Sequence, residues 1–267
     1  MTDLIRAVIL GVIEGLTEFL PVSSTGHMIL AMPWLEIDPA IDPWPSFLYF
    51  IQIGAILAVL IYFFRRLARQ VFAKPTRGWR QHVLTRIVVG MTPAAVLGVT
   101  LNDLAERYLE RPVPVALALI LGGGLMIWIE RACRQDRTIK IEDVTLKQAF
   151  LVGLAQCVSI IPGTSRSMAT IMGGILVGLP GAVAAEFSFY LAIPTLIGAG
   201  LLRVAKHPQA LSGPHVGIMA TGFVVSFVVA WAVVALFMRY VQTRPLWPFG
   251  IYRAILGAAV LAGALCL

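Results

Sequence analysis

The sequence predicts an all-α polytopic integral membrane protein with two inverted-topology repeats, each a broken re-entrant helix pair followed by three transmembrane helices. Three observations support this fold class: long apolar runs, a low charge content, and a polar motif that occurs twice. Hydrophobic residues make up 58% and charged residues 13% of the 267 residues, whereas a soluble domain carries about 25% charged residues. Most of the protein surface is therefore expected to contact something other than water.

Six apolar runs are predicted to cross the bilayer, because a hydrocarbon core takes roughly 20 residues of helix. They lie at 47–64, 87–102, 114–130, 184–202, 216–238 and 250–266. Two further apolar stretches are interrupted by Pro21 and by Pro162-Gly163. Non-helical backbone at membrane depth persists only where protein or a wet cavity satisfies it. The two interruptions are therefore predicted to line a cavity.

Positive charge is concentrated in two short loops, which by the positive-inside rule are predicted to be cytoplasmic. The basic residues are Arg65, Arg66, Arg69, Lys74, Arg77, Arg80 and Arg86 in the first loop and Arg131, Arg134, Arg137, Lys140 and Lys147 in the second. The mixed-charge loop 103–113 then lies outside, and so do both termini. The net charge of +7 indicates orientation and contact with lipid headgroups, and no nucleic-acid partner is expected. The predicted location is an inner, cytoplasmic membrane.

The two interrupted stretches resemble each other. Residues 11–27 read GVIEGLTEFLPVSSTGH and residues 153–169 read GLAQCVSIIPGTSRSMA. The aligned pairs are Gly11–Gly153, Glu14–Gln156, Pro21–Pro162 after one gap, and Ser24–Ser165. Three crossings follow each copy, so the second copy must enter from the opposite face, which is typical of inverted repeats that build a site at the midplane. The predicted repeats are 1–147 and 148–267 of a single transmembrane domain.

Glu14 and Glu18 are four residues apart, so they share one helix face with their Cβ atoms about 6 Å apart. An isolated carboxylate in a membrane span costs several kcal/mol. The pair predicts a site for a hard divalent cation, Mg²⁺ or Ca²⁺, or a metal ligand beside a general base. The alternative is a pair of protonated or hydrogen-bonded structural acids.

A run of hydroxyl and backbone N–H groups follows Pro21 at a predicted helix start: Ser23, Ser24, Thr25, Gly26 and His27. Helix starts attract anions, because free N–H groups and the helix dipole both point outward. Simple N-capping by a serine would explain one hydroxyl but not three and a histidine. Beside two acids, His27 is a candidate nucleophile or general acid.

The second copy repeats this design around an arginine, with the residues Thr164, Ser165, Arg166 and Ser167. The planar guanidinium of Arg166 matches phosphate oxygens bidentately; the alternative is a salt bridge to Glu14 or Glu18. Thr170 lies on the same helix face, and Gln156 replaces the first carboxylate with an uncharged amide. Acids, hydroxyls, an arginine and a histidine in a low-dielectric cavity are the groups that phosphoryl chemistry requires.

EGLTEFLPVSSTGH at 14–27 and PGTSRS at 162–167 resemble the two signature motifs of the bacterial undecaprenyl pyrophosphate phosphatases, the bacitracin-resistance family. The resemblance implies metal-dependent hydrolysis of a prenyl diphosphate lipid carrier at the outer face of the inner membrane. It also implies that Glu14 and Glu18 are the two essential acids, that Ser23, Ser24 and His27 occupy the family's hydroxyl and histidine positions, and that Arg166 binds phosphate between Ser165 and Ser167. Met168 stands where the family commonly has glycine, which puts the geometry around Arg166 in doubt.

Two other functions compete. Inverted repeats with broken helices are also transporter architecture, so a lipid-phosphate transporter or flippase could use the same cavity, although two carboxylates oppose anion transport. The SSTGH run is faintly similar to a motif of type-2 phosphatidic acid phosphatases, but residues 167–182 lack the histidine and aspartate that this family requires. A homodimer is left open, because Gly122, Gly123 and Gly124 could pack helices within one chain or between two.

Overall fold

The structure is a computed structural model, and it describes residues 1–38, 41, 43–73, 78–79, 82–109, 111–133, 139–206 and 215–266. Side chains at 99, 102–107, 201–206 and 265–266 are outside this description. All regular structure in these ranges is helical. The helices are α1 (Asp3–Thr17), α2 (Ser24–Trp34), α3 (Trp44–Phe72), α4 (Val83–Leu109), α5 (Pro112–Cys133), α6 (Leu146–Gln156), α7 (Arg166–Leu176), α8 (Gly181–Lys206), α9 (Val216–Thr243) and α10 (Trp247–Cys266).

Five of these helices, α3, α5, α8, α9 and α10, are long and apolar enough to cross a membrane. The described apolar part of α4 is Val83–Gly98, which is shorter. Large apolar side chains point outward from the bundle, among them Trp34, Phe64, Leu121 and Ile255. A surface of this kind suits hydrocarbon rather than water. The predicted all-helical, multi-pass membrane fold is confirmed in this coarse form.

Helix α4 continues to Leu109, well beyond the predicted end of its span at residue 102. The chain between 99 and 109 contains neither glycine nor proline, so nothing in its sequence stops the helix. Pro112 then begins α5, where its fixed φ and missing N–H suit a first helical turn. Several of the basic loop residues lie outside the described ranges, namely Lys74, Arg77, Arg80, Arg134 and Arg137.

Both interrupted stretches form a helix, a turn and a second helix. The first pair is α1 and α2, and the second is α6, extended by a 3₁₀ turn at Cys157–Ile160, and α7. Each second helix is preceded by a serine with a φ of 72°, Ser23 and Ser165. Each serine Oγ accepts a hydrogen bond at 3.3 Å from a backbone N–H three residues on, at Gly26 and Met168. The same local design therefore begins α2 and α7.

Close helix contacts fix where the two interrupted pairs lie. Helix α1 packs on α9, and α6 packs on α4. A Cβ atom at Gly11 would lie 3.0 Å from the carbonyl oxygen of Gly222, and one at Gly153 would lie 1.9 Å from that of Gly90. Because small residues let helix backbones approach this closely, both pairs are held rigidly against a long helix.

Helices α5 and α10 form the most extensive helix contact. A Cβ atom at Gly123 would lie 2.5 Å from the Gly250 carbonyl oxygen, and the reverse distance is 2.7 Å. Gly122, on α5, faces Arg253, on α10, whereas Gly124 faces open space. The small-residue face at Gly122 and Gly123 is therefore used within one chain.

The aromatic core reaches the end of α1. The ring of Phe189, on α8, lies 5.5 Å from Phe19 in an edge-to-face contact, and it also contacts Phe63 and Phe237. All four side chains are buried. Aromatic pairs of this geometry stabilise beyond their buried area. They anchor the backbone immediately after Glu18.

Replacing Gly153 with alanine is expected to lower the melting temperature in detergent, because the new Cβ would overlap the Gly90 carbonyl and force α4 and α6 apart. Overpacking costs about 1–3 kcal/mol, and each kcal/mol lowers the melting temperature by roughly 2–4 °C in a chain of this size. The control is Gly124→Ala, whose Cβ meets nothing within 4 Å and which should keep or raise the melting temperature. Equal melting of the two variants would contradict the packing argument.

Candidate active site

The carboxylate of Glu18 joins the two interrupted helix pairs. Its Oε1 lies 2.7 Å from Nη2 of Arg166, and its Oε2 accepts a hydrogen bond of 2.7 Å from the hydroxyl of Ser24. Arg166 is the first residue of α7 and Ser24 the first residue of α2. One acid at the end of α1 therefore contacts the N-termini of both helices.

This arrangement has the electrostatics of an anion site. The N-terminus of a helix carries free N–H groups and a partial positive charge, and here two of them approach the same carboxylate. The preceding residues, Ser23 and Ser165, occupy a left-handed conformation that costs about 1–3 kcal/mol each and that clusters at functional sites. Backbone strain on both sides of Glu18 thus marks the same location as the converging helix dipoles.

Arg166 forms the salt bridge that sequence analysis offered as the alternative to phosphate binding, and its partner is Glu18 rather than Glu14. The bond to Glu18 uses Nη2. Among the described residues, no other acceptor takes a hydrogen bond from this guanidinium, which has five N–H donors. The salt bridge therefore leaves donors for an anion, and the two interpretations are compatible.

Glu14 lies one helical turn below Glu18 and is 2% exposed. Glu18 is four residues on along the same helix face, close enough for the two carboxyl groups to interact electrostatically, and Oε1 of Glu14 has no hydrogen-bond partner among the described residues. Two facing carboxyl groups need a shared proton or a cation between them. No cluster of three or more His, Cys, Asp or Glu side chains occurs in the described part of the chain.

His27 is held at both ring nitrogens. Nδ1 lies 2.7 Å from the backbone carbonyl of Ser23, and Nε2 lies 2.6 Å from the hydroxyl of Tyr252 on α10. A carbonyl can only accept, so Nδ1 carries a proton. In the neutral ring Nε2 is then the nitrogen with the free lone pair, and it is the atom through which His27 could act as a base or nucleophile.

Arg253 lies at the centre of the two turns and is fully buried. Its Nη1 donates to the carbonyl of Pro21 at 3.3 Å, and its Nη2 donates to Gly163 at 3.1 Å and to Ala118 at 3.3 Å. The backbone at each break lacks helical partners, and this guanidinium supplies donors to both. Gly122 makes room for it, since a Cβ there would lie 2.5 Å from Nη2.

The hydroxyl groups of Ser165, Ser167 and Thr170 in the second motif hydrogen-bond to other groups of the protein. Ser165 and Ser167 hydrogen-bond to each other at 2.9 Å, and Ser167 also donates to the carbonyl of Leu20 at 2.7 Å. Thr170 donates back to the carbonyl of Arg166 and contacts the hydroxyl of Ser188, on α8, at 2.5 Å. Ser167 therefore ties the start of α7 to the end of the first interrupted stretch, while Thr170 fastens α7 to α8.

Three predicted site residues make no side-chain hydrogen bond within the described part of the chain. Thr25 is half-buried, and Thr164 and Gln156 are buried. The side-chain oxygen of Gln156 has no partner. The structure places Thr25 and Thr164 beside the strained serines and leaves Gln156 outside the contacts that join Glu18, Ser24 and Arg166.

Met168 does not disturb the turn. Its backbone N–H completes the cap on Ser165, and its side chain is buried against α5, where its Cε would lie 2.9 Å from a Cβ at Gly122. The Met168 side chain fills space between α7 and α5, and α7 still begins with regular helical geometry at Arg166.

Sequence analysis missed Arg253, Tyr252 and Glu130. Arg253 lies inside the predicted span 250–266, and an ionisable residue in a span is by default a functional or structural hypothesis; that signal was available. Glu130 ends the span 114–130 and accepts hydrogen bonds from the backbone N–H groups of Leu246 and Trp247 at the start of α10. Tyr252 carries no comparable signal, because tyrosine is common in membrane helices.

Together the fold and site define a class: multi-pass helical membrane proteins with a buried polar site between two interrupted helix pairs. Residues 7–259 match the family model described as bacitracin resistance protein BacA, and the chain belongs to this family. It is 43% identical to an undecaprenyl-diphosphatase of Acidovorax ebreus, covering 98% of this chain and 95% of the relative. It is 41% identical to one of Lacticaseibacillus paracasei, covering 98% of each, and 43% identical to undecaprenyl-diphosphatase 2 of Rhodospirillum rubrum, covering 98% and 95%.

Arg253→Met is expected to lower the melting temperature in detergent, because three buried carbonyls lose their donor, and each unsatisfied group costs about 1–3 kcal/mol. Arg239→Met, at an exposed position on α9, is the control and should melt like the wild type. A melting temperature above that of the wild type would show instead that the cost of burying the guanidinium exceeds the value of its three hydrogen bonds.

Proposed function

We propose that this protein hydrolyses undecaprenyl diphosphate to undecaprenyl phosphate and inorganic phosphate at the outer face of the bacterial inner membrane. The reaction would return the lipid carrier to cell-wall synthesis and confer bacitracin resistance. One observation carries the proposal: Arg166, Ser24 and Glu18 meet between two helix N-termini, which suits a phosphate group. The relatives named undecaprenyl-diphosphatase, aligned over nearly the whole chain, support the same substrate.

The side chains divide the work of the reaction between them. Arg166 and the N-termini of α2 and α7 would bind the phosphate oxygens and stabilise the charge that develops there. The hydroxyls of Ser23, Ser24, Ser165 and Ser167 would supply further contacts, after those that donate to protein groups in this structure turn toward the phosphate. Nε2 of His27 either attacks the terminal phosphorus or moves a proton for an attacking water. In both routes the anhydride P–O bond breaks and undecaprenyl phosphate leaves. In the first route water then hydrolyses the N–P bond formed at Nε2, which releases inorganic phosphate and restores the imidazole.

We propose further that Glu14 and Glu18 hold a divalent cation, Mg²⁺ or Ca²⁺. The unpartnered Oε1 of buried Glu14 and its contact with Glu18 support this proposal. Mg²⁺ is commonly held by one or two carboxylates together with substrate phosphates. When bound, the cation would neutralise charge on the diphosphate.

The packing of the helices supports two inverted repeats, 1–147 and 148–267. Helix α1 packs on α9, and its counterpart α6 packs on α4, the counterpart of α9. The close glycine contacts show the same correspondence between the repeats: Gly11 of α1 lies against Gly222 of α9, and Gly153 of α6 lies against Gly90 of α4. Helices α5 and α10 occupy equivalent positions in the two repeats and pack on each other, as expected beside a two-fold axis.

The same architecture keeps a lipid-phosphate transporter or flippase as the second candidate, because broken helices at a repeat interface are typical of transporters. Glu18 argues against pure anion binding, since its carboxylate occupies the place between the helix N-termini. A hydrolase can use that acid, whereas a phosphate carrier gains nothing from it.

Purified protein in detergent is expected to release phosphate from a C55-type prenyl diphosphate, and EDTA should abolish the release. Glu18→Gln should lower the rate by about a hundredfold or more, the scale on which one transition-state-stabilising group acts. Glu36→Gln is the matched control, because this glutamate side chain is 83% exposed. Absence of release from folded wild type with Mg²⁺, Ca²⁺ or Mn²⁺ would exclude hydrolysis and favour the transporter.

The proposed orientation is tested by cysteine labelling after replacement of Cys133, Cys157 and Cys266 by alanine. A membrane-impermeant maleimide should label Ile41→Cys in intact spheroplasts and Trp79→Cys only after the membrane is opened. Both side chains are more than half exposed. The opposite labelling pattern would place the amino-terminal side of α3 in the cytoplasm and overturn the proposed topology.

A further inference from the structure

The imidazole of His27 has a partner that the reaction as described does not use. The hydroxyl of Tyr252 lies 2.6 Å from Nε2, and the two rings are nearly parallel, with centroids 5.6 Å apart and an interplanar angle of 14°. Nδ1 is occupied by the Ser23 carbonyl. A side chain with two rotatable bonds is fully oriented when both of its polar ends are held, so Tyr252 completes the placement of His27.

Tyr252 can do this because its own position is rigid. Its neighbour Arg253 is hydrogen-bonded to the carbonyls of Pro21 and Gly163. The start of α10 is held by Glu130, which accepts the backbone N–H of Leu246 at 2.6 Å. Close backbone contact between Gly123 and Gly250 joins α10 to α5. The tyrosine hydroxyl is thus presented by a fixed scaffold to a side chain on the short helix α2.

We propose that Tyr252 is a positioning residue for the reaction: its hydroxyl donates to Nε2 of His27 and aims that nitrogen into the site. The proposal rests on the proposed function, because it gives the reacting nitrogen of His27 its orientation. Tyr252 is 46% exposed, so it stands at the boundary of the site.

Three possible roles of Tyr252 predict different kinetics for its variants. A purely structural tyrosine would matter through ring packing, and its phenylalanine variant would behave like the wild type. A substrate-binding tyrosine would change KM. A positioning tyrosine acts through His27, so loss of the hydroxyl lowers kcat while KM stays nearly constant.

The kinetic test compares Tyr252→Phe with Tyr240→Phe. Tyr240 also contacts an aromatic ring, edge-to-face, and donates its hydroxyl to a carbonyl, that of Pro245 at 2.8 Å, but it lies outside the site. Tyr252→Phe should lower kcat about tenfold, the loss expected for one hydrogen bond, and leave KM within about twofold. Tyr240→Phe should change neither. Unchanged kcat in Tyr252→Phe, or a change confined to KM, would overturn the proposal.

A second variant tests whether Tyr252 acts through His27. In a His27→Gln background, the further change Tyr252→Phe should have no effect on the residual rate, because residues that act as one unit are not additive. A full additional loss in the double variant would show that Tyr252 acts independently of the histidine.

A measurement that needs no turnover keeps the inference separate from the proposed function. In protein labelled with ¹⁵N-histidine, His27 is one of four histidines and is assigned by its disappearance in His27→Gln. Loss of the donor in Tyr252→Phe should move the Nε2 resonance downfield, and Tyr240→Phe should leave it in place. If wild type releases no phosphate, the proposed function fails and this shift alone decides the role of Tyr252; an unmoved resonance overturns it.

Discussion

A buried arginine is the interaction on which the rest of the site depends. Two helix pairs that break inside the bundle leave backbone carbonyls without helical partners, and buried carbonyls of this kind need donors from elsewhere in the protein. Arg253 reaches one carbonyl in each break, Pro21 and Gly163, and a third on α5. Its charge is stabilised by these carbonyl dipoles rather than by a carboxylate. Removing it would free both turns at once.

The placement of this arginine explains the small residues around it. Gly122 leaves the space that the guanidinium fills. Gly163 has a φ of +90°, a conformation natural only for glycine, and a Cβ there would lie 2.7 Å from the Val115 carbonyl oxygen. The turn at Gly163, the guanidinium of Arg253 and the glycine face of α5 therefore pack as one unit, in which no residue can be enlarged without displacing another.

Once the two turns are joined, the charges of the site follow. The N-termini of α2 and α7 converge on Glu18, which binds Ser24 and Arg166 at 2.7 Å each. The Glu18 carboxylate supplies the negative charge that the two positive helix ends attract. A phosphate oxygen can accept hydrogen bonds from the Arg166 N–H groups that Glu18 leaves unused. Preorganised donors of this kind need no rearrangement when charge develops during reaction. Glu14 completes the acidic side of the site from one turn below.

Helix α10 gives the site its precision although it contributes no residue of either repeated motif. Glu130 fixes its start, Arg253 links it to both turns, and Tyr252 contacts the candidate histidine. Because α10 packs along α5 over most of its length, these three contacts move together. The helix thus transmits the rigidity of the bundle to the short helix α2.

The sequence by itself determined the membrane class, five of the six predicted spans, the two breaks and the repeated polar motif, because hydropathy, proline and glycine act locally and can be read in a window of a few residues. It also supplied the acids, serines, histidine and arginine whose individual roles stay predictions. The tertiary structure decided that Arg166 pairs with Glu18 rather than Glu14, across 148 residues of chain. It also decided that Arg253 reaches Pro21 across 232 residues, and that Tyr252 faces Nε2 of His27. Such contacts depend on which helices pack together, and no local pattern encodes that choice.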